Sequence, residues 1–337
     1  MRILVLGGTI FLGRHIVETA LAEGHEVTIF NRGVHFPDLF PDVEKLRGDR
    51  ASDLAALRGQ SWDAVIDTSG HIPRDVRAAT RLLADRVEHY TFVSSINVYP
   101  DYSIIGIDET TPIATIEGKE PTEMTFENYG ALKGLCEHEA ERAMPGRTTA
   151  IRAGLIVGPY DFSDRFTYWP ERIARGGVVL APGRPDRRVQ IIDARDLARW
   201  TLRTATDKIA GVFNATGPDL ALTMERILET SRDVSGSDAS FVWVDDEFLV
   251  EHEVGPWVEL PLWLPEGTGA DGLSHIDIRH ALDAGLLFRP LAETITATLE
   301  WTQILPHDRV RRAGMKPERE HELLDLWRSR GDASRRQ

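Results

Sequence analysis

One cysteine, Cys136, occurs among the 337 residues, and no apolar run approaches the length of a membrane-spanning helix. A single thiol allows neither an intramolecular disulfide nor a cysteine-based zinc site, and a bilayer helix needs roughly 20 apolar residues. The acidic and histidine neighbours of Cys136 point around a helix rather than toward one point, so we expect no metal site. Because the N-terminal apolar run is too short for a signal peptide, a reducing cytoplasm is the expected location.

The chain has fewer basic than acidic residues. The chain has 39 Lys and Arg residues against 53 Asp and Glu residues, which gives a net charge of -14 at pH 7. Such a surface repels phosphate backbones and anionic lipids, so neither a nucleic acid nor a membrane is an expected partner. The hydrophobic fraction of 42% is ordinary for a globular protein. A small-molecule substrate is the expected partner.

Short apolar runs alternate with helix-like segments in the N-terminal part of the chain. Arg2–Leu6 carries an aliphatic run, Gly13–Glu23 has helical spacing and stops at Gly24, and Glu26–Phe30 is typical of a second strand. Repeated strand–helix–strand spacing predicts an α/β fold with a doubly wound parallel sheet. Further strands are predicted at Ala64–Asp67, Tyr90–Ser94 and Ala150–Val157, with returns to the sheet near Val189–Ile192 and Val212–Ala215, and further helices at Arg74–Leu83 and Asn128–Ala143.

A glycine-containing loop joins the first strand to the first helix. In a dinucleotide site, glycines let the backbone approach a pyrophosphate, and the helix N-terminus supplies amide donors. Alignment with Gly-x-x-Gly-x-x-Gly puts Gly7 first, Ile10 in the middle and Gly13 last. A plain tight turn is the alternative, but the position between a buried strand and an amphipathic helix favours a cofactor loop. The residues expected to bind the cofactor here are Gly7, Gly8, Thr9, Ile10, Phe11, Leu12 and Gly13.

Asn31 and Arg32 follow the second strand, where an NAD site usually has an acidic residue for the ribose 2′-hydroxyl. An arginine here can neutralise a 2′-phosphate, so the sequence favours NADP(H), with NAD(H) as the alternative. A solvated turn is the other interpretation of Arg32. Asp49, after the next apolar stretch, is a candidate to border the adenine or a simple turn residue.

Tyr129 and Lys133 lie four residues apart on one face of a predicted helix. A free tyrosine titrates at about 10, and a nearby ammonium stabilises the phenolate so that the hydroxyl can exchange a proton while a hydride moves to or from a nicotinamide. A second hydroxyl from Ser94 or Ser95, at the C-terminal end of a strand, would orient the reacting oxygen. Together with the glycine loop, this set predicts a catalytic site.

These motifs resemble the short-chain dehydrogenase/reductase superfamily, and more closely its extended or atypical branch of NAD-dependent epimerase/dehydratase-like proteins. The resemblance covers roughly Met1 to Pro218, and its signatures occur in the expected order at Gly7–Gly13, Val93–Tyr99, Tyr129–Lys133, Arg152–Pro159 and Asp193–Ala198. It implies a Rossmann-type doubly wound parallel sheet with a smaller C-terminal substrate-binding lobe. The expected division is 1–158 for the NAD(P)-binding domain, with segments near 189–216 completing its sheet, 159–328 mainly for the lobe, and 329–337 for a disordered tail.

The resemblance also implies roles for particular residues. The hydroxyl-orienting residue falls on Ser95, and Tyr129 becomes the general acid/base. Lys133 would hold the nicotinamide ribose and tune Tyr129, so both also count as cofactor-binding residues. The segment Asp67–Gly70 would pass beside the cofactor, which adds Thr68, Ser69 and Gly70 to the expected cofactor contacts.

Departures from the family pattern narrow the reaction. Ile10 replaces the middle glycine of the loop, and Ile96-Asn97 stand where 4,6-dehydratases carry Asp-Glu, which argues against dehydration. Val189 occupies the position of an arginine that grips the diphosphate in sugar-nucleotide enzymes. A nucleotide-sugar substrate is therefore not favoured.

The expected function is NAD(P)-dependent interconversion of an alcohol and a ketone on a small molecule. An epimerase that oxidises a sugar-like substrate transiently on tightly held cofactor is the first alternative, because the same residues serve both reactions. A non-catalytic NADP- or RNA-binding relative, like the chloroplast stem-loop RNA-binding members of the branch, is the second. Family habit implies a homodimer through two helices, including the Tyr129 helix. The candidate substrate contacts are His71, Arg74, Asn97, Arg165, Tyr168 and Trp169, and a packed lobe core is the other interpretation of the last three.

Overall fold

The computed structural model describes residues 1–306 and 308–334. The strands, numbered in chain order, are β1 (Arg2–Leu6), β2 (Glu26–Asn31), β3 (Glu44–Arg47), β4 (Ala64–Asp67), β5 (His89–Ser95), β6 (Thr148–Ala153), β7 (Ile156–Val157), β8 (Val178–Pro182), β9 (Ile192–Asp193), β10 (Gly211–Ala215) and β11 (Ser240–Val244). The α-helices are α1 (Phe11–Ala22), α2 (Pro73–Leu83), α3 (Tyr129–Ala143), α4 (Tyr168–Ala174), α5 (Ala194–Thr206), α6 (Met224–Ser235), α7 (Asp246–Glu251), α8 (Arg279–Asp283), α9 (Leu291–Gln303) and α10 (Pro317–Ser334).

Seven parallel strands form the central sheet, in the order β10-β6-β5-β4-β1-β2-β3. The strand order reverses between β1 and β4, which makes the C-terminal edge of these two strands the topological switch point. Helices cover both faces of the sheet, so the fold is the expected Rossmann-type doubly wound α/β sheet with a C-terminal lobe.

The alternating side chains of β1 show how the sequence builds these layers. Ile3 and Val5 pack with α1 and α5 on one face of the sheet, whereas Leu4 and Leu6 pack with α2 and α3 on the other. Because side chains alternate across a strand, a run of four aliphatic residues is needed to fill both faces. The continuous run in the sequence is therefore the signature of a strand covered on both sides.

The C-terminal lobe has a hydrophobic core of its own. Its short sheet pairs β8 with β11 in parallel, and α4, α6, α9 and α10 contribute side chains to the same cluster. The largest fully buried side chains of this cluster are Trp169, Trp263 and Tyr168. None of the described helices has the length and apolar character required to cross a bilayer.

Three local expectations differ from the structure. Helix α1 begins at Phe11 rather than Gly13, because Ile10 already serves as its N-cap. Of the two expected returns to the main sheet, β10 joins it, whereas β9 pairs with β7 in a separate two-stranded sheet. Residues 329–334, expected in a disordered tail, continue helix α10 because the amphipathic segment before them has already formed the helix. Residues 335–337 lie outside the described part of the chain.

Two glycines of α3 pack against other parts of the same chain. A Cβ at Gly130 would overlap the backbone carbonyl of Asn97, and one at Gly134 would lie 2.9 Å from Ile113 Cδ1. The small-residue face of this helix therefore serves intramolecular packing.

Candidate cofactor cleft and active site

A cleft of about 690 Å³ opens at the C-terminal edge of the sheet, beside the switch point. Parallel α/β sheets bind ligands at this edge. Most of the residues expected to bind a cofactor line this cleft, namely Gly7, Gly8, Thr9, Ile10, Phe11, Leu12, Asn31, Arg32, Asp49, Thr68, Ser69, Tyr129 and Lys133. Gly13 and Gly70 lie behind its wall.

The glycine loop reaches its shape through conformations that other residues avoid. Gly7 has a φ of 114° and Gly8 a φ of 85°, in the region that favours glycine. A Cβ at Gly7 would overlap the Thr68 hydroxyl, and one at Gly13 would lie 2.9 Å from the Gly8 backbone nitrogen. The loop is thus pressed against β4 on one side and against α1 on the other.

The N-terminus of α1 is free to accept an anion. Its N-cap, Ile10, makes no side-chain capping hydrogen bond, and the first turn carries no acidic residue. The helix dipole and the unpaired amides therefore face the cleft without a competing acceptor. Ile10 has an ordinary extended conformation with a φ of -122°, which explains why the position of the family's middle glycine tolerates a side chain here. These features fit a dinucleotide pyrophosphate.

The end of β2 is tied to the glycine loop. Asn31 donates through Nδ2 to the Gly7 carbonyl at 2.9 Å, and its Oδ1 accepts from the Gly33 backbone amide at 2.9 Å and from Arg47. Arg32 is exposed at the rim of the cleft. Neither Asn31 nor Arg32 is acidic, so this strand end offers no carboxylate for a ribose 2′-hydroxyl.

Asp49 lies at the cleft and also stabilises a turn. It lines the cleft, and its Oδ1 accepts a hydrogen bond from the Ala51 amide at 3.0 Å. That contact is an Asx turn, which fixes the loop after β3.

The side chain of Lys133 is buried under the cleft. Its ammonium donates to the backbone carbonyls of Gly70 at 2.8 Å and Val93 at 2.6 Å, and it lies 4.2 Å from the centre of the Phe92 ring. Burial lowers the pKa of Lys133 to about 8, which still leaves it largely protonated at pH 7. A positive charge is thus fixed at the C-terminal ends of β4 and β5.

Tyr129 is the first residue of α3 and lines the cleft one helical turn from Lys133. Burial raises the pKa of Tyr129, while interaction with the Ser95 side chain opposes that rise. The protein groups alone therefore hold Tyr129 as a neutral phenol, ready to donate a proton. Ionising it requires additional positive charge, which an oxidised nicotinamide would supply.

The two adjacent serines have different partners. Ser94 donates its hydroxyl to Glu137, whose carboxylate is paired with Arg152 at 2.8 Å in the protein interior. Ser95 meets Tyr129 and accepts from the Asn97 amide at 3.2 Å. Of the two serines, Ser95 interacts with Tyr129, whereas Ser94 is the one that lines the cleft.

Three of the expected substrate contacts lie on the Rossmann side. The His71 ring lies in the cleft, with its centre 6.4 Å from that of Tyr129, and partial burial together with the charge of Lys133 lowers the pKa of His71. Asn97 is exposed and accepts from the Tyr102 hydroxyl at 3.2 Å. Arg74 is exposed and pairs with the neighbouring Asp75, outside the cleft lining.

Tyr168 and Trp169 do not line the cleft. Both side chains are buried at the start of α4 in the core of the lobe, and the Trp169 indole donates to the Pro261 carbonyl at 2.9 Å. Arg165 is half-buried with its guanidinium 5.9 Å from the Trp257 ring centre. The expectation that Tyr168 and Trp169 wall a substrate pocket is wrong, because burying such large rings stabilises the lobe more than exposing them would.

Phe162 and Arg50 are two of the cleft-lining residues that the sequence did not predict. Phe162 lines the cleft from the loop after β7. Its ring packs edge-on against the ring of Phe11, with 6.3 Å between the ring centres. Arg50 lines the cleft from the loop after β3 and forms an ion pair with the buried Asp67. Its position directly after Asp49 could have indicated that Arg50 lies at the cleft. Its ion-pair partner, Asp67 of β4, cannot be identified from the local sequence.

The fold and the site define an extended short-chain dehydrogenase/reductase. A Rossmann-type sheet, a glycine loop at the switch point and a serine–tyrosine–lysine set beside the same cleft are its defining parts. The chain belongs to the NAD dependent epimerase/dehydratase family, whose family model matches residues 3–215.

Similar proteins carry different functions. The chain is 26% identical over 237 residues to the chloroplast stem-loop binding protein of 41 kDa b of Arabidopsis thaliana, which covers 64% of this chain and 58% of the relative. It is 29% identical over 179 residues to the 2-alkyl-3-oxoalkanoate reductase of Stenotrophomonas maltophilia (strain K279a), which covers 48% of this chain and 52% of the relative. The chain thus matches just over half the length of these curated relatives.

Solved structures of this fold cover the lobe as well. The UDP-Glc/GlcNAc 4-epimerase from Campylobacter jejuni is 16% identical, with a TM-score of 0.66 over 90% of this chain and 99% of that chain. At this identity the likeness is one of fold.

Proposed function

We propose that this chain is an NAD(P)-dependent oxidoreductase that interconverts a secondary alcohol and a ketone on a small molecule. The observation that carries the proposal is that Tyr129 and Lys133 line one cleft, with Ser95 interacting with Tyr129 and the buried Lys133 ammonium held by two backbone carbonyls. The adjoining glycine loop and the free N-terminus of α1 support binding of the cofactor pyrophosphate.

The glycine loop and the N-terminus of α1 would hold a nicotinamide cofactor, which would supply or accept the hydride. In the reducing direction, the Tyr129 phenol donates its proton to the carbonyl oxygen of the substrate, and the Ser95 hydroxyl orients that oxygen. The Lys133 ammonium, fixed by the Gly70 and Val93 carbonyls, and the positive charge of an oxidised nicotinamide would together stabilise the phenolate that remains. In the oxidising direction the phenolate takes the proton back from the alcohol.

Replacing Tyr129 tests this assignment. We expect Tyr129→Phe to lower kcat about 100-fold or more on any accepted carbonyl substrate, since general acid catalysis contributes about 10²–10⁴, while NADPH affinity stays near that of the parent. Tyr160→Phe is the matched control, because Tyr160 lies outside the cleft lining and packs against Arg14 and Trp301. Turnover of Tyr129→Phe near the parental rate would overturn the assignment.

We further infer a preference for NADP(H) over NAD(H). The support is local: β2 ends in Asn31, Arg32 is exposed at the cleft rim, and Arg47 lies against Asn31. Two guanidinium groups near one strand end suit a 2′-phosphate, because such contacts are charge-assisted.

The cofactor preference is tested by Arg32→Ala. We expect NADPH affinity to fall about tenfold, which corresponds to about 1.4 kcal/mol, with NADH affinity unchanged. Fluorescence titrations with each reduced cofactor measure both. Equal losses for the two cofactors, or a tighter NADH complex in the parent, would contradict the preference.

An epimerase that holds its cofactor through the reaction is the second candidate. Its support is the fold likeness to a UDP-sugar 4-epimerase, which extends over the lobe. Cofactor stoichiometry separates the two candidates. The oxidoreductase consumes one reduced cofactor per product, whereas the epimerase converts its substrate with no net change in nicotinamide absorbance.

The third candidate is a non-catalytic binder of nucleic acid, which the 26% identity to a stem-loop binding protein supports. The net charge of -14 opposes it. A gel-shift titration with a stem-loop RNA at low and high salt tests this function. Salt-dependent binding at micromolar protein would favour it over catalysis.

A further inference from the structure

We propose that Arg50 is a positioning residue: it fixes the chain segment whose Gly70 carbonyl holds the Lys133 ammonium in place for the cofactor. This inference rests on the proposed function of the Lys133 site. Arg50 itself lies on the far side of the cleft, in the loop after β3.

The Arg50 guanidinium donates three hydrogen bonds to residues at the end of β4. Nη1 donates to Asp67 Oδ1 at 2.8 Å and to Ser69 Oγ at 3.0 Å, and Nη2 donates to Asp67 Oδ2 at 2.9 Å. The Asp67 side chain is 0% exposed and that of Arg50 is 14% exposed. A bidentate contact of this kind fixes orientation as well as distance.

Asp67 is anchored on its other sides too. It accepts a hydrogen bond from the Tyr90 hydroxyl at 2.7 Å and from the Ser69 amide at 3.0 Å. Burial would raise the pKa of Asp67, but the Arg50 charge outweighs it and lowers the pKa to about 2. The pair is therefore ionised at every pH at which the enzyme would work.

A buried ion pair contributes little net free energy to folding. The cost of removing both charges from water largely cancels their attraction, and apolar pairs of the same volume are often as stable. What the pair provides is a defined geometry for the Asp67–Gly70 segment. That segment also packs against the glycine loop, where Thr68 Oγ1 donates to the Leu6 carbonyl at 3.1 Å.

The Asp67–Gly70 segment ends in contact with the Lys133 ammonium. Gly70 contributes one of the two carbonyls that receive the Lys133 ammonium, and Val93 of β5 contributes the other. Arg50 binds Ser69, the residue before Gly70, so a change at Arg50 reaches Lys133 through a single peptide unit. Arg50 and Asp67 carry opposite charges and shift the pKa of Lys133 in opposite directions, Asp67 more strongly than Arg50.

A double-mutant cycle on NADPH affinity separates this role from a general loss of folding. The variants are Arg50→Met, Lys133→Met and the combination of the two. We expect each single change to weaken NADPH binding at least about tenfold, and the combination to weaken it little more than the larger single change, because interacting residues are not additive. Arg58→Met is the control, since Arg58 is exposed in the same segment and outside the cleft lining, and it should bind NADPH as the parent does.

Arg50→Met leaves Asp67 buried without its partner and is expected to lower the melting temperature. The neutral pair Arg50→Met/Asp67→Asn removes the uncompensated charge, so we expect it to recover the melting temperature but not the affinity. If Arg50→Met alone does not fold, the cycle is run with this neutral pair.

Additive losses in the cycle, or parental NADPH affinity in the neutral pair, would overturn the role of Arg50. A parent protein that binds neither NADPH nor NADH would instead overturn the proposed function, so the two failures are distinguishable.

Discussion

The Rossmann half and the C-terminal lobe of this chain place similar residues in opposite environments. In the Rossmann half, Tyr129 and Lys133 converge on a cleft at the ends of parallel strands. In the lobe, Tyr168 and Trp169 follow the same kind of loop but lie in the hydrophobic core. The C-terminal ends of parallel strands determine where the cleft lies and which residues face it. In the loop-rich lobe, the position of an aromatic side chain depends instead on how much apolar area it buries.

The largest effect expected from this comparison is on lobe stability. Trp169→Ala removes a side chain from the centre of the lobe core and should destabilise the protein by about 3–5 kcal/mol. Urea unfolding measures the loss, and NADPH affinity of the folded variant should stay parental. Phe126→Ala, at a position 92% exposed, is the control and should change stability by less than about 0.5 kcal/mol. A Trp169→Ala variant with parental stability but no substrate turnover would place Trp169 back in a substrate pocket.

The next effect concerns the glycine loop. Gly7→Ala puts a Cβ against the Thr68 hydroxyl at a φ of 114°, and we expect NADPH binding to weaken about 30-fold, or about 2 kcal/mol. Gly24→Ala is the matched control, because Gly24 also has a positive φ, of 78°, but nothing lies within 4 Å of its added Cβ. It should cost about 1 kcal/mol of stability and leave NADPH binding unchanged. Similar NADPH affinities in both variants would show that the loop does not approach the cofactor.

The smallest effect concerns the loop between the two halves. Burial raises the pKa of Asp161 to about 6, and its Oδ2 has no hydrogen-bond partner within the described part of the chain. A carboxyl whose folded pKa is raised favours folding at low pH and loses that contribution as the pH rises through about 4 to 6.

Replacing this carboxyl removes the pH dependence. Asp161→Asn should match the parent at pH 4 and exceed its stability at pH 8 by about 1–2 kcal/mol. Urea unfolding at both pH values measures this, with the exposed Asp38→Asn as a control that should follow the parent. A parental pH profile in Asp161→Asn would show that Asp161 is ionised at no cost.

Much of the Rossmann half could be predicted because its chemistry is local in sequence. The spacing of Tyr129 and Lys133 fixes one helix face, and the aliphatic run of β1 fixes a strand buried on both sides. The Arg50–Asp67 pair could not be predicted, because it joins the loop after β3 to the end of β4, and β1 and β2 lie between those strands in the sheet. The short return at β9 was misplaced for a related reason, since its partner β7 is a separate two-residue strand whose residues were expected to continue the strand before it.

The measurement that tests the central claim most directly is a fluorescence titration of the parent protein with NADPH, repeated on Lys133→Met. The proposed site predicts saturable binding of one NADPH per chain, and clearly weaker binding once the buried Lys133 ammonium is removed. No saturable binding by the parent, or equal affinity in Lys133→Met, would contradict the account.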